Sequence, residues 1–139
     1  MEFSRLLVAI DGSESAMKAF KKSLFLAHKC DSKLDLVHVV ECELGGDSAT
    51  TFELMEQLQK KAKKFLDECE EQAVRNNIPI EVMVKQGDPA KIIIEIANSQ
   101  NYDLIITGSR GMSAFKELLV GSVTLKVIHH VNCPVMVVR

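Results

Sequence analysis

Residues 6–13 read L-L-V-A-I-D-G-S, a short apolar run that ends in a turn and a helix cap. An apolar run of this length is typical of a strand that is buried on both faces. The Asp-Gly-Ser that follows it favours a turn leading into a helix. From Ser15 onward, apolar residues recur at spacings of three and four, as expected for a helix packed along one side: Met17, Phe20, Leu24 and Ala27. The chain is therefore predicted to begin with a strand and a helix.

The same alternation continues along the rest of the chain. Apolar segments predict further strands at residues 34–40, 80–84, 104–107 and 134–139. A capping box at Thr50 and Glu53 predicts the start of a long second helix, which Asn76-Asn77 closes, and Asp88-Pro89 predicts the start of a third. One or two short helices are expected between Ser113 and His130. Five strands alternating with helices predict a single α/β domain over residues 1–139, with a mostly parallel sheet that carries helices on both faces.

Composition excludes several classes of protein. The 139 residues carry a net charge of −2 and are 47% hydrophobic, which suits one domain with a sizeable core and leaves no basic surface for nucleic acid or an anionic membrane. The first residues lack the features of a signal peptide and no apolar run could span a bilayer, so we expect a soluble, cytoplasmic protein. Neither the four cysteines nor the four histidines show the spacing of a zinc or redox motif. The histidines are interpreted as helix-end residues, and the lysine-rich run at residues 60–64 as a solvated helix face.

Two loops carry the residues that are candidates for a binding site. Asp11-Gly12-Ser13 follows the first predicted strand, and Gly108-Ser109-Arg110-Gly111 follows the fourth. In open α/β sheets, ligands bind beyond the carboxyl ends of the strands, where the strand order reverses. If the first and fourth strands are neighbours, the two loops face each other across that crevice.

The glycines suggest what the crevice would hold. Gly108 and Gly111 allow the backbone to turn sharply and to expose amide groups that form an anion-binding nest. Gly121-Ser122 opens the last helix, whose N-terminal amides also favour an anion, and the two elements together indicate an extended group such as a polyphosphate. Asp11 would accept from ribose hydroxyls or a base edge, or hold a cation bound by the phosphates. Glycine spacing alone leaves an equal alternative, in which the glycines form a tight turn and Asp11 caps the first helix.

Taken whole, residues 108–123, G-S-R-G-M-S-A-F-K-E-L-L-V-G-S-V, resemble the G-2x-G-9x-G-(S/T) nucleotide motif of the universal stress protein family. Further segments extend the resemblance over essentially the full chain: V-A-I-D-G-S, L-V-H-V-V, G-D-P-A, D-L-I-I-T-G-S-R-G and N-C-P-V-M-V-V. The resemblance implies a flavodoxin-like, Rossmann-like three-layer sandwich with a five-stranded parallel sheet in the order 3-2-1-4-5. It also implies the branch of the family that binds ATP, because the other branch lacks these glycines.

The same resemblance implies roles for individual residues. Asp11 would contact the nucleotide near its ribose, and Val39 would meet the adenine through its backbone. Ribose and phosphates would lie against Thr107, Gly108, Gly111, Gly121 and Ser122, with Val123 just beyond. Arg110 would be a further phosphate contact. Mg²⁺ or Mn²⁺ would be bound by the phosphates near Asp11. Family members typically form homodimers through the last strand, here Val135 to Val138, whose apolar faces and uncovered edge favour pairing.

Efficient enzymatic turnover is not predicted. The chain lacks a Walker A sequence, the H-x-G-H of nucleotidyl transferases and a committed base. We therefore hypothesise an ATP-binding stress-response or signalling module whose nucleotide occupancy regulates what it contacts. Open alternatives are a protein-interaction module with a vestigial pocket, a slow ATPase or autophosphorylating protein, and a cyclic AMP binder. Flavin binding is disfavoured because the chain has no Trp and only one Tyr, Tyr102. The stretch from Glu41 to Thr50 has the most flexible-looking composition, but nothing in it requires this loop to close over the base.

Overall fold

The computed structural model describes residues 3–41, 49–110 and 120–139, in which strands and helices alternate from end to end. The elements are β1 (Arg5–Ala9), α1 (Glu14–Cys30), β2 (Lys33–Val40), α2 (Ala49–Arg75), β3 (Ile80–Gln86), α3 (Pro89–Ser99), β4 (Leu104–Gly108), α4 (Ser122–His130) and β5 (Val135–Val138). The predicted α/β alternation is confirmed.

The strands form one parallel sheet with the order β3-β2-β1-β4-β5. In the central register, Val8 of β1 lies opposite Leu36 of β2 on one side and Ile106 of β4 on the other. The predicted order is confirmed, and the loops that follow β1 and β4 are neighbours at the carboxyl edge of the sheet. The order of the strands reverses here, because β2 and β3 lie on one side of β1 and β4 and β5 lie on the other. Open α/β sheets bind ligands at such a point.

The residues of β1 explain why an uninterrupted apolar run forms the centre of the sheet. Leu6, Leu7 and Val8 are completely buried. Leu6 and Val8 belong to the core cluster shared with α1 and α2, whereas Leu7 and Ala9 belong to the cluster shared with α3 and α4. Each such side chain contributes roughly 1.5–3 kcal/mol by leaving water, and the sheet is covered on both faces as a three-layer sandwich.

Short polar signals set several helix ends. The Ser13 hydroxyl accepts from the amide of Ala16 at 3.2 Å and caps α1. The Asp88 carboxylate accepts from the amide of Lys91 at 3.0 Å, so the predicted start of α3 is confirmed. Asn77 has a left-handed backbone with φ 55°, which stops the chain from continuing α2.

The longest helix, α2, extends beyond the sheet. It begins at Ala49, so Thr50 lies inside its first turn and the predicted capping box at Thr50 is wrong, because the helix starts at least one residue earlier. Residues 50–61 contain no buried side chain, and burial begins at Ala62. Among the described residues, no helix is both long and apolar enough to cross a membrane.

A buried ionic cluster lies at the amino end of the strands and consists of Arg5, Asp35 and Tyr102. Asp35 is only 1% exposed. Its Oδ2 accepts from Arg5 Nη2 at 2.8 Å and from the Tyr102 hydroxyl at 2.8 Å. The Arg5 guanidinium also lies 4.7 Å from the centre of the Tyr102 ring. Burial, reinforced by the bond to Asp35, raises the pKa of Tyr102 well above its usual range. We name this group the Asp35 cluster.

Candidate functional site

A cavity of about 420 Å³ opens at the carboxyl edge of the sheet, where β1 and β4 end. Its walls come from the sheet and from the helices on both faces. Six of the predicted site residues line it: Asp11, Val39, Thr107, Gly108, Arg110 and Val123. The fold therefore brings together residues that lie more than a hundred positions apart in the sequence. Gly111 lies outside the described residues.

Asp11 lies in the turn that connects β1 to α1. Its Oδ1 accepts from the amide of Ser13 at 2.9 Å, so this carboxylate shapes the turn while Ser13 caps the helix. The alternative in which Asp11 itself caps α1 is therefore wrong. Gly12, between them, has a left-handed backbone with φ +85°, and its missing side chain leaves room for the Phe65 ring.

Gly108 is a glycine because β4 ends directly against the start of α1. A Cβ atom here would lie 2.5 Å from Ser15 Oγ and 2.7 Å from the backbone nitrogen of Ala16. The predicted anion-binding nest has fewer amides available for a ligand. The amide of Ser109 donates to the Val138 carbonyl at 2.8 Å, and the amide of Arg110 donates to Ser15 Oγ at 3.3 Å. The close approach that requires Gly108 is thus to the protein's own backbone.

The loop after β4 is fastened to α1 through the backbone of Arg110. The Ser15 hydroxyl donates to the Arg110 carbonyl oxygen at 2.7 Å, and the Ser13 hydroxyl does so at 3.2 Å. This arrangement fixes where the two loops meet and places Arg110 at the cavity wall.

The start of α4 forms another part of the cavity wall. Gly121 is its N-cap, as predicted, and its own amide donates to the Ser109 carbonyl at 2.6 Å. A glycine cap has no side chain to accept from the first-turn amides, which include that of Ser122. Val123 and Thr124 line the cavity, and the Thr124 hydroxyl donates to the Gly108 carbonyl at 2.9 Å. The N-terminal turn of a helix is thereby held beside the cavity, with its positive dipole end at the wall.

The wall contributed by α2 was missed by sequence analysis. Leu58, Lys61, Ala62 and Phe65 lie at spacings of three and four and line the cavity. The lysine run was interpreted as a solvated face, and both Lys63, in its 2.6 Å ion pair with Asp67, and Lys61 are exposed, although Lys61 also lines the cavity. The apolar stripe of α2 was visible in the sequence, but nothing local showed that its first half projects past the sheet.

His38 was also missed, because the prediction that the histidines are helix-end residues is wrong for it. It lies in β2, is 8% exposed and lines the cavity. Its Nδ1 lies 2.7 Å from the Ile10 carbonyl oxygen. The ring centres of His38 and Phe65 are 5.0 Å apart with the ring planes at 89°, so two contacts fix the imidazole.

The part of the chain that the structure describes offers no ready-made metal site. No three His, Cys, Asp or Glu side chains are grouped there closely enough to hold a metal ion. Among the described residues, the charged groups that line the cavity are the acidic Asp11 and Glu41 and the basic Lys61 and Arg110. This balance suits a ligand with an anionic part and a polar, uncharged part.

Comparison with known proteins gives a consistent family. A model of the universal stress protein family matches residues 2–139. Universal stress protein YxiE of Bacillus subtilis (strain 168) is 33% identical over 147 residues, covering 99% of each chain. The solved structure of universal stress protein UspA from Lactobacillus plantarum is similar with a TM-score of 0.86 at 26% identity, covering 100% of this chain and 99% of its own.

Two further solved structures share the fold and contain nucleotides. A universal stress protein family protein from Arabidopsis thaliana, with AMP bound, has a TM-score of 0.73 at 24% identity, covering 97% of this chain and 90% of its own. A universal stress protein in complex with cAMP has a TM-score of 0.75 at 22% identity, covering 100% of this chain and 98% of its own. At these identities the likeness is one of fold.

Proposed function

This chain belongs to the universal stress protein family, and from that premise we propose that it binds ATP in the cavity at the carboxyl edge of its sheet. Nucleotide occupancy would regulate its contacts with other proteins, as in a stress-response or signalling module. Two proteins of the same fold hold adenine nucleotides, one AMP and the other cAMP. The proposal gives this chain a ligand of the same chemical class.

The observation that carries the proposal is the meeting of six expected nucleotide contacts around one cavity. They come from the β1–α1 turn, β2, β4 with its following loop, and α4. A volume of about 420 Å³ lies within the range of roughly 300–1,000 Å³ that is usual for small-molecule sites. Tight turns alone would not require these separate segments to surround a shared space.

Free energies decide how the ligand would be held. A helix N-terminus contributes about 0.3–1 kcal/mol, whereas micromolar affinity requires about 8 kcal/mol. Burial of the base against apolar walls such as Val39 and Phe65 would supply much of the difference. Charge-assisted bonds from Arg110, and amides near Gly111, Gly121 and Ser122, would hold the phosphates.

Asp11 has a distinct role in this proposal. Its Oδ1 holds the turn to Ser13, and its Oδ2 would accept from a ribose hydroxyl. Phosphate-bound Mg²⁺ or Mn²⁺ is the other partner that a carboxylate at this position fits, because hard divalent cations prefer oxygen ligands. When bound, such an ion would neutralise phosphate charge, and Asp11 would orient its water shell.

Thermal unfolding with added nucleotide tests the proposal. ATP at one hundred times its dissociation constant should stabilise the protein by about 2.7 kcal/mol, which corresponds to a rise of roughly 5–10 °C in Tm for a domain of this size. AMP, cAMP and FMN are compared at the same concentration. Protein stripped of nucleotide by unfolding and refolding is used, because a preloaded sample would show no rise.

A pair of variants on α4 separates binding from stability. Val123→Glu places a carboxylate at the cavity wall, in the first helical turn where an acid favours the helix but repels phosphate. Leu125→Glu places the same charge two residues along at a residue that is 45% exposed and does not line the cavity. The first variant should lose the rise in Tm and the second should keep it. No rise with any nucleotide would favour the interaction module with a vestigial pocket.

We also propose that the chain forms a homodimer through β5, Val135–Val138. This strand is at one edge of the sheet, and Met136 is 36% exposed. The carbonyls of Pro134 and Val138 bond to β4, so by alternation along the strand the backbone of Val137 points to the open edge. An unpaired strand edge of this kind favours pairing with a second copy.

Proline substitution at the two sheet edges tests the dimer. Val137→Pro removes an amide from the β5 edge and should raise the dimer dissociation constant at least about tenfold. Val84→Pro is the matched control, because Val84 is 52% exposed on β3 at the opposite edge. Sedimentation equilibrium measures both. Equal effects of the two prolines, or a parent chain that is monomeric, would contradict the proposed interface.

A further inference from the structure

His38 presents a hydrogen-bonding atom to the cavity that the family motif does not use. The side chain is 8% exposed and lies among the lining residues. Its Nδ1 is 2.7 Å from the Ile10 carbonyl oxygen. Within the described part of the chain, no group bonds its Nε2, and Nε2 is not among the fully enclosed polar atoms without a partner. Nε2, the second ring nitrogen, is therefore accessible from the open space beside the ring.

The bond to Ile10 fixes which proton His38 carries. A carbonyl oxygen only accepts, so Nδ1 must be the donor, and in a neutral imidazole the other nitrogen then has a lone pair and no proton. The Phe65 ring, at 89° to the imidazole, prevents the ring from turning freely. Gly12 allows that contact, since a Cβ there would lie 2.9 Å from Phe65 Cε2. The cavity thus contains an acceptor in a fixed orientation.

We propose that Nε2 of His38 accepts a hydrogen bond from the 6-amino group of adenine and thereby selects adenine over 6-oxopurines. The proposal rests on the proposed nucleotide site. There, Asp11 of the β1–α1 turn would be the acceptor for ribose, and His38 lines the same cavity as Val39, the expected contact of the base. Adenine offers a donor at position 6, whereas hypoxanthine offers an oxygen that would face the lone pair of Nε2.

Within the described residues, the other titratable side chains that line this cavity are Asp11 from the β1–α1 turn, Glu41 after β2, Lys61 from α2 and Arg110 after β4. Across the same described part of the chain, no hydrogen bond or ion pair joins the His38 ring to Asp11, Glu41 or Lys61.

Two amide substitutions distinguish the bond between Nδ1 and Ile10 from the proposed bond between Nε2 and adenine. His38→Asn retains a donor close to the position of Nδ1 but has no atom at the position of Nε2. His38→Gln extends its amide to the position of Nε2. Isothermal titration with ATP and ITP gives the ratio of dissociation constants for each protein, and thermal unfolding shows whether each variant is folded.

The parent protein should prefer ATP over ITP by at least about tenfold, the effect of one well-placed hydrogen bond. His38→Asn should lose about tenfold of that preference while His38→Gln recovers part of it. An unchanged ratio in both variants, whatever their Tm, would make His38 a purely structural residue and overturn the inference. A parent that binds ATP and ITP equally also overturns it but leaves the proposed function standing, whereas a parent that binds neither overturns both.

Discussion

Gly108→Ala should lower the free energy of unfolding by about 3 kcal/mol, at the upper end for an overpacked site. The added methyl would lie 2.7 Å from two backbone atoms, Ala16 N and Ser15 C, and 2.5 Å from Ser15 Oγ. Backbone at the capped start of α1 cannot move aside without breaking its bond to Ser13. The expected decrease in Tm is roughly 6–12 °C, measured by circular dichroism during heating.

The same substitution in a Ser15→Ala background identifies the cause. Ser15→Ala removes the nearest of the three contacts and leaves the two backbone contacts, so it should restore only a minor part of the lost stability. Gly→Ala substitutions without strain stabilise proteins by about 0.4–1 kcal/mol. A Gly108→Ala protein as stable as its parent would therefore show that β4 and α1 are not as close as the structure places them.

Asp35→Ala should cost about 3 kcal/mol of unfolding free energy. The substitution removes the carboxylate that accepts from the Tyr102 hydroxyl, in a residue that is 6% exposed, and from the Arg5 guanidinium. Both donors then share Gln100 Oε1, at 3.4 Å from the hydroxyl and 2.6 Å from Arg5 Nη2. Removing one partner of a buried ion pair typically costs about 3–5 kcal/mol. The Arg5 side chain is 32% exposed, so water can partly replace Asp35 as its partner. The expected loss of unfolding free energy is therefore at the lower end of this range. Urea unfolding provides the measurement.

Two controls accompany Asp35→Ala. Lys33→Ala removes a 44% exposed lysine that is 3.4 Å from Asp35. It should cost less than about 1 kcal/mol, because water screens the lysine and Asp35 keeps its ion pair with Arg5. Tyr102→Phe in the Asp35→Ala background removes a buried hydroxyl whose remaining acceptor, Gln100 Oε1, is 3.4 Å away, and should recover about 1 kcal/mol. If Lys33→Ala destabilises the protein as much as Asp35→Ala, the buried cluster is not the source of the effect.

Local sequence signals were sufficient to predict most of the strands and helices, but not the order of the strands. The apolar run of Leu6 to Ile10, the capping residue Asp88 and the helix stop at Asn77 each act within a few residues of chain, and each is confirmed in the structure. The order of the strands came from the resemblance, because no local pattern states which strands are neighbours. The capping box at Thr50 failed because such a box constrains a helix start only to within about a turn.

The site was predicted less completely because its contacts join distant segments. The glycine at 108 is required by α1, almost a hundred residues earlier in the chain. The amide of Gly121 donates to the Ser109 carbonyl oxygen, and the spacing of glycines in the sequence does not reveal this bond. Lys61 and His38 become site residues because α2 and β2 meet at the same cavity. In each case the deciding distance runs between elements, and a linear pattern does not contain it.

The Asp35 cluster and the cavity lie at opposite ends of the same strands. β1 spans five residues, about 16 Å at the usual rise per residue, and completely buried apolar side chains fill the space between the two ends. Substitutions at the rim that alter the preferred nucleotide therefore leave the charge arrangement at the other end untouched. Apart from Gly108, which packs against α1, residues that line the cavity can be diversified to obtain variants with new ligands without disturbing the Asp35 cluster.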